Sequence, residues 1–103
     1  MIGHYPAAFE REQGCTEAEW LAWLPGAVRD AALRVGPAPG RASVVLASGG
    51  ALHLRWQPLP PRRIALIVLP RLAVSFRFDD GVDAAVRQRF MRYFDLYLQR
   101  GGG

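Results

Sequence analysis

Three segments in the middle of the chain alternate between apolar and polar side chains, and this pattern constrains the fold more than any other feature. The even-numbered side chains of residues 42–46, 52–56 and 72–78 are all apolar, whereas most of the odd-numbered ones are polar or small. A period of two is typical of strands that bury one face and expose the other. The sequence therefore predicts a sheet with one face in the core.

The first two segments are separated by Ser48-Gly49-Gly50, which is typical of a hairpin loop. A three-residue loop at 48–50 would pair Leu46 with Leu52 and Val44 with Leu54, so that apolar side chains meet on one face. We expect this register.

Residues 64–69 form a run of six apolar side chains, which predicts a central strand buried on both faces. The following Pro70-Arg71 lacks the glycine of a favoured two-residue turn. Two alternatives therefore stay open. Residues 63–78 form either a second hairpin, which gives a four-stranded antiparallel meander, or one long bent strand.

Helical signals flank these strands. Thr16 and Glu19 have the spacing of a capping box, so a helix is predicted to begin at Glu17. Pro25 and Gly26 predict a kink or break, after which helical spacing resumes over residues 27–35. Residues 1–15 show no periodicity and are predicted to be an irregular N-terminal arm.

A long C-terminal helix is predicted over residues 81–99, capped by Asp79 or Asp80 and ended by Gly101, with residues 101–103 as a frayed tail. Its second half is apolar on most of its circumference, which exceeds what one sheet face can cover. Either the first helix packs beside it, or a second subunit covers it. We expect a homodimer, with Phe90, Met91, Phe94 and Leu98 at its interface.

Together these elements predict a single α+β domain over residues 1–103. The expected architecture is a two-layer sandwich with a kinked N-terminal helix, a four-stranded antiparallel meander sheet, and a long C-terminal helix on one face. A chain that is 50% hydrophobic and 21% charged has the composition of a folded domain.

The net charge of +4 favours an anionic partner. All 13 basic residues are arginine, and neither lysine nor asparagine occurs, a bias typical of GC-rich bacterial coding. Guanidinium groups bind phosphates and carboxylates through two parallel hydrogen bonds. The strand alternation places several of them on the sheet face opposite the core, and the predicted anion-binding or nucleic-acid-binding residues are His53, Arg55, Arg71 and Arg77.

The sequence thus favours a non-enzymatic binding or adaptor domain whose partner is a second copy, a nucleic acid or an acidic protein. A single-stranded nucleic-acid-binding module is one alternative, although the strand pattern gives the arginine face no aromatic side chain for base stacking. A small ligand-binding protein or an enzyme with a pocket near Trp20 and Trp23 is another.

No catalytic motif is recognisable, and neither a metal nor a cofactor is predicted, because His4, Cys15 and His53 lack the spacing of a metal site. One cysteine cannot form an intrachain disulfide. The N-terminus does not resemble a signal peptide, and the longest apolar run is far shorter than the roughly 20 residues of a membrane-spanning helix. These features predict a cytoplasmic protein without a transmembrane segment.

Overall fold

A five-stranded antiparallel sheet, covered on one face by two helices, forms the protein. The computed structural model describes residues 5–29 and 31–102. The elements in chain order are β1 (Ala8–Gln13), α1 (Glu17–Ala27), β2 (Ala32–Val35), β3 (Arg41–Val45), β4 (Ala51–Ile64), β5 (Ile67–Phe78) and α2 (Ala84–Tyr97), followed by a π-helical turn (Leu98–Gly102). The sheet order is β1-β5-β4-β3-β2. The α+β class is confirmed, but the sheet has five strands rather than four.

The strand β1 lies where an irregular arm was predicted. It pairs with the outer edge of β5, from Ala8 opposite Arg77 to Gln13 opposite Leu72. Its core side carries only one apolar side chain, Phe9, and the next position on that side is Arg11. The Arg11 guanidinium lies over the ring of Phe76, 4.8 Å from its centroid. Because a stacked arginine replaces the expected apolar residue, the strand shows no alternation in sequence.

The predicted second helical segment over residues 27–35 is also wrong. Helix α1 has the predicted capping box and runs through Pro25 to Ala27. Arg29 then adopts a left-handed backbone with φ of 55°, which ends the helical path. Residues 32–35 pair with β3, with Leu33 opposite Val44. An open strand edge on β3 thus decides the conformation of a segment whose local spacing is compatible with a helix.

The hairpin between β3 and β4 has a register two residues away from the prediction. Val44 pairs with Leu52, and Ala42 pairs with Leu54. The Leu46 amide donates to the Gly50 carbonyl at 3.0 Å, so the loop is 47–49 instead of 48–50. A shift of two keeps every side chain on its predicted face, because strand side chains alternate with a period of two.

The chain turns at residues 65–66, so strands β4 and β5 form one long hairpin without a turn at Pro70-Arg71. Of the two alternatives for residues 63–78, the long continuous strand is closer to the structure, because β5 runs without a break from Ile67 to Phe78. The prolines of β4 at 58, 60 and 61 lie past its pairing with β3, and Pro70 lies past the end of β1. Proline has no amide proton to donate. On the outer side of these residues no partner strand is described, so no hydrogen bond of the sheet is lost there.

Residues 64–69, predicted as a buried central strand, lie at the end of this long hairpin and are exposed. Neither β3 nor β1 extends this far along β4 and β5, and the helices pack elsewhere. The apolar run therefore contains the turn of the hairpin instead of a single buried strand.

Helix α2 begins at Ala84, with Asp83 rather than Asp79 or Asp80 at the N-cap position. Met91 and Phe94 are fully buried and Leu98 is nearly so, all within the core of the same chain, whereas Phe90 is half-buried against that core. Helix α1 packs beside α2, as in the first of the two alternatives for this surface. Met91, Phe94 and Leu98 are therefore not a free surface for a second subunit, whereas Phe90 also lines a surface groove.

The predicted frayed tail at 101–103 is helical at Gly101 and Gly102, which belong to the π-helical turn, and Gly103 lies outside the described residues. Among residues 5–29 and 31–102, no helix is long and apolar enough to cross a membrane.

Candidate functional site

The two helices leave one face of the sheet uncovered, and we call this the open face. It carries the odd-numbered side chains of β3, β4 and β5. The strand register aligns them in rows that run across the sheet. One row contains Arg77, His53, Ser43 and Arg34, and the next contains Glu10, Ser75, Arg55 and Arg41.

The centre of the open face is concave, with a depression of about 540 Å³. Its polar lining is formed by Arg41, Ser43, His53, Arg55, Ser75, Arg77 and Glu10. Among the described residues, no carboxylate lies within 4.0 Å of the guanidinium nitrogens of Arg41, Arg55 or Arg77. Three arginines thus line one depression with their hydrogen-bond donors available to a ligand.

His53 is held in place by Asp79. The distance from its Nε2 to Asp79 Oδ1 is 2.8 Å, and Asp79 Oδ2 accepts the Ala51 amide at 2.9 Å. The hydrogen bond with His53, helped by the Ala51 amide and the nearby charge of Arg77, lowers the pKa of Asp79. Asp79 was predicted to cap α2, but the structure uses it to orient His53 beside the depression.

Arg71, the fourth residue of the predicted anion site, is engaged within the sheet. Its Nε and Nη2 donate to the two carboxylate oxygens of Glu12 at 2.9 and 3.0 Å, and Nη1 donates to the Pro60 carbonyl at 3.1 Å. The hydrogen bond from Arg71 lowers the pKa of Glu12. The structure therefore brings His53, Arg55 and Arg77 together and ties Arg71 to β1 away from the depression.

Arg41 and Ser43 belong to the depression but were not predicted. The signal was present, because both are odd-numbered residues of the β3 alternation and lie opposite Arg55 and His53. Glu10 was out of reach of sequence reasoning, since the strand β1 itself was not predicted. Its carboxylate accepts from the Ser75 hydroxyl at 3.5 Å and places a negative charge at the rim.

The predicted ligand pocket near the tryptophans is filled by other rings. Trp20 is fully buried and meets Trp56, Phe76 and Phe94 edge-on, with centroids 5.8 to 6.5 Å apart, while Trp23 packs on the core half-buried. A different and mostly apolar groove of about 530 Å³ lies between α2 and the residues that follow α1, beside the β3–β4 loop, and is lined in part by Val28, Phe90, Tyr93 and Leu96.

Cys15 is buried, and burial together with the charge of Glu19 raises the pKa of its thiol, away from thiolate chemistry. Within the described part of the chain, no three His, Cys, Asp or Glu side chains are grouped to hold a metal ion.

Comparison of the chain with protein families, with curated proteins and with solved structures found no match. The function must therefore be argued from the open face and its surroundings.

Proposed function

We propose that this protein is a non-enzymatic binding domain that holds the carboxylate groups of an acidic protein segment on its open face. Arg41, Arg55 and Arg77 supply the binding donors, and Ser43 and Ser75 add hydroxyls. The observation that carries the proposal is that three arginines line one concave depression, with no carboxylate within ion-pair distance of them among the described residues.

An extended acidic segment suits this surface. Guanidinium groups bind carboxylates through paired, charge-assisted hydrogen bonds, which are stronger than neutral ones. Arg41 and Arg55 are opposite each other on neighbouring strands, so a carboxylate between them could accept hydrogen bonds from two guanidinium groups. The rim carboxylate of Glu10 repels the same ligand and should weaken its binding.

Single-stranded nucleic acid fits less well, because base stacking on aromatic rings contributes much of the affinity in such proteins. Among the described residues the open face carries no aromatic side chain. The phosphate groups alone would then provide the attraction.

The test is fluorescence anisotropy of a labelled glutamate-rich peptide and of a labelled mixed-sequence single-stranded DNA, each titrated at low and at physiological salt. Arg55→Ala and Arg77→Ala should each weaken peptide binding about tenfold, the loss expected for one charge-assisted hydrogen bond. Glu10→Gln should strengthen it.

Arg100→Ala is the matched control, because it removes the same charge from the π-helical turn after α2, outside the lining of the depression, and should leave the affinity unchanged. Equal weakening by Arg100→Ala and Arg55→Ala would contradict a defined site and indicate attraction by net charge. Tighter binding of the oligonucleotide than of the peptide would favour the nucleic-acid alternative.

A further inference from the structure

The far end of the β4–β5 hairpin projects from the body of the protein, and we call residues 60–70 the protruding hairpin. Strand β3 pairs with β4 only as far as Arg55, and β1 pairs with β5 only as far as Leu72. Beyond these points the two strands pair only with each other, down to Ile64 opposite Ile67. Within the part of the chain that the structure describes, neither outer edge of the protruding hairpin has a partner strand, and residues 60–69 are exposed.

The protruding hairpin concentrates the exposed apolar surface of the chain. Nine large apolar side chains are exposed in the described residues, and five of them belong to the six consecutive residues 64–69. Leu66, at the turn, is 99% exposed. Soluble monomers rarely expose so dense an apolar patch without using it to bind something.

Basic groups adjoin this apolar end, and acidic ones are absent from it. Residues 51–78 contain five arginines and no aspartate or glutamate. Arg62 and Arg63 pair across the hairpin with Leu69 and Val68, directly behind the apolar turn. Arg62 lies 4.0 Å from Glu12, and Arg63 has no carboxylate within that distance among the described residues.

The order of these groups matches the layers of a lipid bilayer. Apolar side chains at the end would enter the boundary between headgroups and acyl chains, while guanidinium groups one or two residues behind would meet the lipid phosphates. Arg62 precedes the first turn residue, Ala65, by three residues, which corresponds to about 10 Å at the strand rise of about 3.4 Å per residue. Interfacial segments are buried to a similar depth, about 5 to 10 Å.

We infer that the protruding hairpin docks this protein on an anionic lipid bilayer, with residues 64–69 at the headgroup boundary and Arg62 and Arg63 on the lipid phosphates. The inference is independent of the proposed function, because the depression on the open face lies on the body of the sheet. Insertion stays shallow, since an open strand edge cannot satisfy its backbone groups in the hydrocarbon core.

A second copy of the chain is the less favourable occupant. Pro60 and Pro61 on one edge and Pro70 on the other cannot donate to a neighbouring strand and therefore hinder edge-to-edge pairing. Contact between two protruding hairpins would also bring arginines together without an acidic partner in either one.

The test is co-sedimentation of the full chain with vesicles of phosphatidylcholine alone and of an equimolar mixture of phosphatidylcholine and phosphatidylserine. Wild-type protein should bind the mixed vesicles and should bind the neutral vesicles much less. Leu66→Ser should lower the affinity about tenfold, and Val68→Ser about fivefold, by removing apolar contact with the lipid.

Val45→Ser is the matched control for Val68→Ser. The two valines are 55% and 50% exposed, but Val45 pairs with Ala51 at the opposite end of the sheet. Val45→Ser should leave vesicle binding unchanged, and tryptophan fluorescence should show that all three variants are folded.

Equal binding by Val68→Ser and Val45→Ser would overturn the inference, as would failure of the wild type to bind mixed vesicles. Self-association that is lost in Leu66→Ser, measured by analytical ultracentrifugation, together with unchanged vesicle binding would overturn it in favour of a second copy.

Discussion

Replacing Asp95 by alanine should destabilise the protein through loss of a cluster that joins α2 to β1. Asp95 accepts the Tyr5 hydroxyl at 2.5 Å and binds both terminal nitrogens of Arg11. The Arg11 and Asp95 side chains are only 27% and 29% exposed. Alanine would leave a partly buried guanidinium without its counter-charge and the Tyr5 hydroxyl without its acceptor.

The expected cost lies between two limits. Breaking a fully buried ion pair costs about 3 to 5 kcal/mol, whereas an exposed pair contributes about 0 to 1 kcal/mol. With roughly a quarter of each side chain exposed, we expect Asp95→Ala to lower the free energy of unfolding by about 2 to 3 kcal/mol. Glu12→Ala, which removes the more exposed pair with Arg71, should lower the free energy of unfolding much less.

Urea unfolding followed by tryptophan fluorescence measures both values, since Trp20 lies in the core. The comparison is valid if the dependence of the free energy on urea is unchanged. A loss below about 1 kcal/mol for Asp95→Ala would refute the reasoning, because the cluster would then behave like a surface pair.

A second readout follows from Tyr5. Burial, together with the hydrogen bond to Asp95, raises the pKa of Tyr5 to about 12. Because the folded-state pKa lies above the unfolded value near 10, this contribution to stability is complete below about pH 10 and is lost as the pH rises toward 12. Ultraviolet titration of the tyrosines should show a lower pKa for Tyr5 in Asp95→Ala.

Two further predictions concern stability. The pKa of Asp79 is lowered mainly by its hydrogen bond with His53, so its contribution is present above the ordinary aspartate pKa and is lost as the pH falls through the lowered value. Asp79→Asn should therefore lose less stability on acidification than wild type, whereas the control Asp80→Asn should lose as much as wild type. If the free energy of unfolding depends on pH in the same way for all three proteins, the role of Asp79 is contradicted. Gly40→Ala should lower the unfolding free energy by about 1 to 3 kcal/mol, because Gly40 has φ of +71° and a Cβ would lie 2.7 Å from a main-chain carbonyl oxygen. Gly14→Ala, where a Cβ meets nothing within 4 Å, is its control in the same urea assay, and equal losses would exclude strain at Gly40.

The sequence alone determined which side chains face the core within the three alternating segments, 42–46, 52–56 and 72–78. Leu52, Leu54 and Trp56 are buried as expected, and His53 and Arg55 lie on the opposite face. The start of α1 was likewise readable, because the capping box is complete within four residues. These features were predictable because they depend only on local periodicity and local hydrogen bonding.

The candidate site was predictable only where it depends on the same local periodicity. Alternation along each strand placed His53, Arg55 and Arg77 on one face, but the role of Asp79 depends on a contact with a strand 26 residues away. The same limit applies to Glu10, which reaches the open face only through the pairing of β1 with β5.

The tertiary structure decided how strands pair and what covers them. Residues 27–35 could have continued as a helix, but the free edge of β3 makes the end of this segment a strand. Residues 64–69 were predicted as one central strand, but they contain the turn of the β4–β5 hairpin, and the neighbouring strands end before reaching them, so they are exposed. Side-chain alternation is fixed by the backbone of each strand. Burial depends on which distant segments of the chain pack against that strand, and a local sequence pattern does not identify those segments.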